Sequence, residues 1–583
     1  MVFISLCSSK TPIKVSRSRC PPSSSTPLIP SPAPLPQSNL AVGCSSLPSS
    51  AVRESALDQL ISESTLIQEG DPSVYQLKGK KEKSSTMTRV TVGQRDSHKK
   101  NKTILLVGET GAGKSTFINA LVNFTIGVKF QDKVCFQIAE EAGQETSEVT
   151  VYEVLGFEGR VIPFSLTIID TPGFGGIRGI EYDDSISRSL LYLFRSGGIE
   201  ELDGVGLVMK ASDNRLSDRL MYILNSVMSL FGKNIEDNII TLITHSKGRT
   251  PKNVLQTLEV STIKCAKDEN QKPVYFLFNN CQSEDRTEEE EYLEAAYKVM
   301  EKGLKEFTAF LEKSQPQKLK TTVDVINERI KLTACIQNLQ QRFIEAEEKQ
   351  NQIRQIQHNL MKHKEEMEKN ENFSFEVEES YKVKEPIKTN ASFGKPLCCK
   401  RCEENCHYPG CTMAPALCEV IKGGHCTVCT GKCPTSDHSK ENWRYVTKTI
   451  KVQTTLNEMK QNDEKNKMEK EKNSSYLESL DTEMKNLTAE KSQLLEESYK
   501  HITRLEKIAL KVDSSATLVH LDFLIEKMRE IGMKDKAEKL ETLKTNVDEG
   551  SQAAVKYQHN SLDRRKIQQQ QHHYFDPSAE TWV

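Results

Sequence analysis

The chain lacks any apolar run of the roughly 18 residues that a membrane-spanning helix needs, so no bilayer span is expected within its 583 residues. It also lacks a net charge of consequence: 79 Lys and Arg stand against 81 Asp and Glu, a formal balance of −2. Such a balance makes no field to draw the protein onto nucleic acid or an anionic membrane. Apolar residues are scarce, at 37% against 27% charged, which suits one globular domain joined to extended helices. Acidic residues are missing altogether from residues 1–50. An acid-poor, Ser-rich start is found in organelle transit peptides. Here Pro21, Pro22, Pro27, Pro30, Pro32, Pro34, Pro36 and Pro48 interrupt any amphipathic helix, and a disordered tail is expected.

What is present is more specific. Gly108-Glu109-Thr110-Gly111-Ala112-Gly113-Lys114-Ser115 reads G-x-x-x-x-G-K-S, a phosphate-binding loop, continued by Thr116. An apolar strand pattern, Thr103 to Val107, leads in, and a helical pattern, Thr116 to Val122, leads out. That order lets backbone N–H groups curl around a β-phosphate while Lys114 reaches the β/γ oxygens and Ser115 offers its hydroxyl to Mg²⁺. A second buried-strand pattern, Ser165 to Ile169, runs into Asp170-Thr171-Pro172-Gly173. There Asp170 would hold the magnesium, and Gly173 would let a backbone N–H approach a γ-phosphate. Between the two motifs, Thr150 is the expected switch threonine for Mg²⁺, with Thr146 as its rival; either also suits a strand opening at Val149.

G-E-T-G-A-G-K-S-T followed by I-N-A-L, then I-I-D-T-P-G-F-G, resembles the septin-related GTPases, which include the immunity-associated (AIG-type) proteins and the chloroplast Toc import GTPases. The resemblance covers roughly residues 100–312. It implies GTP/GDP and Mg²⁺ as cofactors and a homodimer through the GTPase domain. After the strand Ile239 to Ile243 comes Thr244-His245-Ser246-Lys247-Gly248 in place of the common N-K-x-D. The Thr244-His245 pair resembles the Toc variant, which makes His245 the base-contacting residue. A last strand, Val274 to Phe278, ends at Asn279 and Asn280, where the final base-loop contact is implied. No Asp is left to satisfy the guanine N1 and N2 hydrogens. Where many GTPases carry a water-positioning Gln, Phe174 follows Gly173, so hydrolysis should be slow unless a partner or second copy supplies a polar group. Arg178 and Arg195 are the residues that could act across such a contact, although each also reads as an ordinary surface arginine. Toc proteins carry a C-terminal membrane anchor, and no such apolar run is expected here.

Cysteine usage is uneven. Of 16 cysteines, nine lie between Cys398 and Cys433. Cys399-x-x-Cys402 and Cys426-x-x-Cys429 are two knuckles that together suit a tetrahedral Cys₄ zinc site. Cys406 or His407, Cys411, Cys418, Cys433 and His438 remain for a second. A P-loop GTPase works in the reducing cytoplasm, so Zn²⁺ is expected in preference to disulfides, and a cytoplasmic location with it. Leu332, Leu339, Ala346, Ile353, Leu360 and Met367 recur every seventh residue before the cluster; Leu477 to Ile508 carries a similar pattern after it. Phe373 to Val377 and Trp443 to Val446 alternate like strands. The economical arrangement is a hairpin arm: helix out, strand pair, metal-pinned tip, then strand and helix back.

The expected fold is therefore an α/β P-loop GTPase domain, with a mostly parallel sheet and helices on both faces, followed by a long helical, coiled-coil region with a Cys-rich metal-binding insert. The expected divisions are a disordered tail over 1–50, a partly ordered lead-in over 51–100, the GTPase domain over 101–313 and a coiled-coil helix over 316–372. A zinc module over 373–446, a second coiled-coil helix over 447–512, a short helical unit over 516–545 and a disordered tail over 546–583 complete them. Two functions compete: a GTP-binding switch and slow GTPase with protein partners on its coiled-coil arm, or a non-hydrolysing, nucleotide-bound scaffold. No nucleic-acid partner and no transmembrane segment are indicated.

Overall fold

The computed structural model describes residues 50–84, 87–139, 148–174, 180–212, 217–260, 262–362, 374–387, 394–411, 413–455, 476–558 and 560. The expectations for residues 1–49, Thr146 and Arg178 lie outside the described residues.

A helix α1 (Ser50–Glu63) precedes a small sheet of β1 (Thr65–Gln68), β2 (Ser73–Gln76) and β6 (Val134–Gln137). The main sheet has eight strands: β3 (Lys80–Lys83), β4 (Met87–Val92), β5 (Asn101–Gly108), β7 (Val149–Val154), β8 (Ser165–Asp170), β10 (Gly204–Lys210), β11 (Ile239–Thr244) and β12 (Tyr275–Leu277). Their order is β12-β11-β10-β5-β8-β7-β4-β3, and the run from β12 to β8 is parallel. Helices cover both faces, as parallel strands require. The period of two along β5 shows the division. Ile104 and Leu106 join the core beneath α2 (Lys114–Ile126) and α6 (Glu290–Lys313). Leu105 and Val107 join the core beneath α3 (Ile180–Ser196) and α4 (Asp218–Ser229). The boundary expected at residue 101 falls inside this sheet. Met87–Val92 pairs along its whole length with β7, because Val90 and Val92 have apolar faces to bury.

A clip of β9 (Glu201–Leu202) and β13 (Gln317–Lys318) fastens the start of α7 (Lys320–Lys362), with α5 (Lys252–Val260) lying earlier in the domain. α8 (Tyr476–Ile508) packs antiparallel to α7, with Arg342 paired to Glu490 and Lys349 to Glu483. Leu332, Leu339, Ala346 and Ile353 of the heptad ladder are buried. α9 (Ser515–Leu518), α10 (Leu521–Glu530) and α11 (Lys534–Thr545) close a bundle against Val325, Ile336 and Phe343.

Between the long helices, β14 (Ser374–Pro386) and β20 (Trp443–Thr455) form a 13-residue antiparallel ribbon. The helix expected from residue 447 is therefore strand as far as Thr455, where Thr447, Thr449, Ile450, Val452 and Thr454 favour a pleated ribbon. The ribbon folds back along α7: Glu378 N donates to Gln355 Oε1 and Gln341 Nε2 to Tyr445 O. Consequently the Cys-rich insert is not a distant tip. Its strands β15 (Lys395–Cys399), β16 (Glu404–Cys411) and β19 (His438–Lys440), with the short pair β17 (Ile421–Lys422) and β18 (His425–Cys426), lie beside the middle of α7 and against α3. The tail expected to be disordered from 546 is helical over 549–558. Ala554 is buried in the P-loop domain core, and Ser551 accepts a 2.7 Å hydrogen bond from Asn225. Among the described residues no helix is long and apolar enough to cross a membrane.

Candidate nucleotide site and metal centre

β5 delivers Gly108 to the carboxyl edge of the sheet, and α2 begins at Lys114. Gly113 caps α2 at φ 90°, a left-handed conformation that strains residues with a Cβ. A Cβ on Gly173 would meet Thr110 Oγ1 at 2.2 Å, so the D-T-P-G turn presses directly on the loop. Lys114 is buried and donates to the carbonyls of Gly108 and Glu109, each at 3.2 Å. Asp170 ends β8 at 1% exposure, and neither of its carboxylate oxygens has a hydrogen-bond partner among the described residues. Burial raises its pKa to about 6, with Lys114 pulling the other way. An orphaned, buried carboxylate beside a buried ammonium at the mouth of a phosphate loop fits a divalent cation. Ser115 lies in the first turn of α2, and Thr150 stands directly opposite Asp170 in the β7–β8 ladder. Opposed residues project from the same face, so Thr150 and Asp170 share one side of the sheet.

The remaining positions behave differently. Thr244 is buried and donates to Ala112 O at 2.7 Å, so its hydroxyl pins the phosphate loop to β11. His245 is exposed at φ 54°, its Nδ1 3.1 Å from Thr244 Oγ1. Ser246 N donates to Phe278 O, which brings the His245 turn beside the end of β12. There Asn279 Oδ1 takes the Cys281 thiol at 3.4 Å, while Asn280 Oδ1 is buried with no partner among the described residues. Phe174 is 1% exposed and packs in the core with Ile186 and Leu190 of α3. Sequence reasoning missed two basic residues here. Lys210 Nζ lies 3.9 Å from the place a Cβ on Gly111 would occupy, and Arg219 pairs with Glu109 at 3.0 Å. Lys210 ends a parallel strand on the loop's edge of the sheet, which is the signal that could have found it.

In the Cys-rich module the donors converge into three sets, each within 4.8 Å: Cys399, Cys402, Cys429 and Cys433; Cys406, Cys426, Cys429 and His438; and His407, Cys411, Cys418 and Glu419. The two knuckles do not pool into one Cys₄ set. Cys426 turns to Cys406 and His438, and Cys429 is common to both. Backbone N–H groups already point at the sulfurs: Cys402 N to Cys399 Sγ at 3.4 Å, Cys429 N to Cys426 Sγ at 3.4 Å and Cys433 N to Cys429 Sγ at 3.3 Å. Hydrogen bonds from the Cys406 and Cys426 thiols hold Cys429 well below the usual thiol range. His438 Nδ1 donates to Pro434 O at 2.9 Å, which leaves Nε2 facing Cys429 at 3.7 Å. A Cβ on Gly431 would crowd Cys433 Sγ at 2.9 Å and Cys402 Sγ at 3.2 Å. Burial, then the Arg188 charge, lower His407 to about 3, so its imidazole is neutral, as a metal ligand must be. These residues fit zinc. Glu419 was missed, because one carboxylate among many carries no local signal.

The strand–loop–helix and the carboxyl-edge site define a P-loop nucleotide-binding class. Residues 99–184 match the septin family model, which takes in both phosphate motifs and stops short of Thr244 and Asn279. Over that stretch the chain is similar to the septin family. Among solved structures, it is similar to Toc33 from Arabidopsis thaliana in complex with Mg²⁺ and GMPPNP, at 17% identity over 37% of this chain and 88% of that one, TM-score 0.25. It is also similar to Toc33 from Arabidopsis thaliana with GDP and Mg²⁺, at 16% identity over 37% and 86%, TM-score 0.25. A dimerisation-deficient Toc33 mutant from Arabidopsis thaliana aligns at 16% identity over 37% and 87%, TM-score 0.26. No curated protein matches the chain.

Proposed function

We propose that this protein is a guanine-nucleotide switch: it binds GTP or GDP with Mg²⁺ and hydrolyses GTP to GDP and phosphate slowly. The observation that carries the reading is Asp170, whose two buried oxygens lack partners beside Lys114. Mg²⁺ would be held by Ser115, Thr150 and Asp170, and would neutralise phosphate charge when bound. Gly108 to Thr116 would wrap the phosphates, with Gly173 at the γ position. His245 would contact the base. Asn280 Oδ1, a buried acceptor without a partner among the described residues, suits a guanine donor and offsets the missing Asp.

Slow hydrolysis follows from Phe174, which is committed to the core and presents no group to orient water. A homodimer through the P-loop domain, or another protein, would have to supply that group. The antiparallel helices and the zinc-held module would form the protein-interaction arm, in a reducing compartment such as the cytoplasm. The buried Phe174 also favours a second reading, a nucleotide-bound scaffold that does not hydrolyse. Phosphate release measured over a hundredfold range of protein concentration separates them. A specific rate that climbs with concentration supports the dimerising GTPase, and no release at any concentration supports the scaffold. Absence of bound nucleotide under saturating GTP and Mg²⁺ would reject both.

A further inference from the structure

The face of the Cys-rich module turned towards α3 carries a donor set unlike the other two. His407 Nδ1 lies 3.1 Å from Cys418 Sγ. Oε2 of Glu419 lies 3.6 Å from His407 Nδ1 and 3.7 Å from both Cys411 Sγ and Cys418 Sγ. Zinc bonds of about 2.0–2.3 Å place tetrahedral donors roughly 3.3–3.8 Å apart, so these separations need little change to accept an ion. All four residues are buried. The other oxygen of the same carboxylate, Oε1, is 3.5 Å from Arg195 Nη1 on α3. About two turns earlier on that helix, Arg188 Nη1 donates to Gly410 O at 2.5 Å, next to Cys411.

We propose that His407, Cys411, Cys418 and Glu419 bind a third zinc ion, separate from those of the thiolate-rich sets. This ion fastens the module, through Glu419 and Arg195, to the helix that follows the D-T-P-G turn. The proposal rests on the zinc reading of the module and adds a site with its own role. Charge supports it. Two thiolates and a carboxylate against a dication leave one negative charge, which Arg195 meets. On loading, Cys411 and Cys418 each release a proton, while the neutral imidazole and the carboxylate release none. With only two thiolates, the set is also harder than its neighbours and holds zinc less tightly. α3 in turn shares its core with Phe174, four residues after Asp170.

The test uses the full chain, purified reduced and freed of loose metal. Zinc per chain is measured in the wild type and in Cys418→Ser, Glu419→Gln and Arg195→Ala, and its removal by a coloured chelator is timed. Three ions are expected in the wild type, one for each donor set, and two in Cys418→Ser. One ion should leave about tenfold faster than the others, as its donors are the hardest. Glu419→Gln preserves volume and an acceptor for Arg195, so it should fold and lose that ion faster still. Arg195→Ala keeps all four donors and should quicken that phase alone. A wild type without zinc would reject the zinc reading of the whole module. A wild type with two ions, or three ions retained in Cys418→Ser, would overturn this site alone. Removal rates unchanged in both Glu419→Gln and Arg195→Ala would overturn the fastening.

Discussion

The P-loop domain buries Leu105, Leu106, Phe117, Ile118 and Leu121 behind its loop before any ligand arrives, whereas the core of the Cys-rich module is made of its own donors. Besides cysteines, the fully buried part of that second core contains only Ala334, Leu397, Val420 and Val428 among the described residues, and Ala334 comes from α7, as does Cys335. Each region gathers electron-rich groups in a buried place, and each needs a cation to offset the cost. In the first, the cost falls mainly on one side chain, Asp170, while the sheet holds everything else in position. In the second, with zinc as proposed, the cost would be spread over the whole framework, so folding and ligation would be one event. A site on a finished scaffold can load and unload. A site that is its own scaffold would unravel on unloading, the outlying set of His407, Cys411, Cys418 and Glu419 apart.

The largest expected effect breaks that comparison on the zinc side. Cys429→Ser removes the donor shared by two sets. It should leave the module open to limited proteolysis around residues 394–442, while GTP affinity stays within about a factor of three. A module that remains protease-resistant after this change and after chelation would mean that apolar packing holds it. On the other side, Lys114→Ala deletes a charge-assisted contact to the phosphates, with an expected loss of about a hundredfold in nucleotide affinity. Zinc content should not change, and unaltered GTP binding in a folded variant would remove the nucleotide assignment.

Asp170 offers a sharper version. Its carboxyl titrates near 3.8 ordinarily and about 6 when buried. Between those values the unfolded chain has given up the proton that the folded one retains. The nucleotide-free domain therefore loses stability as pH rises from about 4 to 6 and stays penalised above, by roughly 3 kcal/mol. Asp170→Asn should accordingly raise the urea midpoint at pH 7.5, have almost no effect at pH 4, and abolish Mg²⁺-dependent tightening of nucleotide. Equal stabilisation at both pH values would point to packing instead of charge.

A smaller effect is expected at His245. Its Ala variant should lose about tenfold in preference for GTP over ATP in competition binding, since one exposed imidazole contact is worth little more than 1.4 kcal/mol. Full retention of preference would shift base recognition to Asn280 and its neighbours. The smallest effect joins the two regions. If α3 responds to the γ-phosphate, the equilibrium affinity for the fastest-leaving zinc should differ by about threefold between protein bound to GDP and protein bound to a non-hydrolysable GTP analogue. Linkage makes the effect reciprocal, so that ion should alter nucleotide affinity by the same factor.

Much of the candidate nucleotide site was legible because its parts are local. Gly108 to Ser115 lie in one strand–loop–helix, and Asp170 ends the strand hydrogen-bonded to β5. Arg219 was not legible, since a separate helix brings it to the loop, and Lys210 was signalled only by its place at the end of a separate parallel strand. Phe174 could be read as a poor catalytic residue, but not as a core residue shared with α3. The ribbon was visible only at Phe373 to Val377 and Trp443 to Val446, because the charged and Thr-rich remainder lacks an apolar alternation. The helix over 549–558 was missed because its apolar residues are few, Ala553, Ala554, Val555 and Tyr557, and the burial of Ala554 and Tyr557 needs the groove beside α4.

By itself, the order of residues determined which chemistry this chain can carry: a phosphate loop, an acidic strand end, a supply of thiols and imidazoles, and helices long enough to pair. Those properties follow from backbone conformation and from side-chain type, and both are read within a few neighbouring positions. The tertiary structure alone decided which donors lie close enough to share an ion, that Cys429 serves two sets, and that Glu419 joins a third while touching Arg195. It also decided that the arm folds back on the P-loop domain. A ligand set is chosen by distances of a few ångströms between residues tens of positions apart, and those distances exist only once the ribbon has laid the module against α7 and α3.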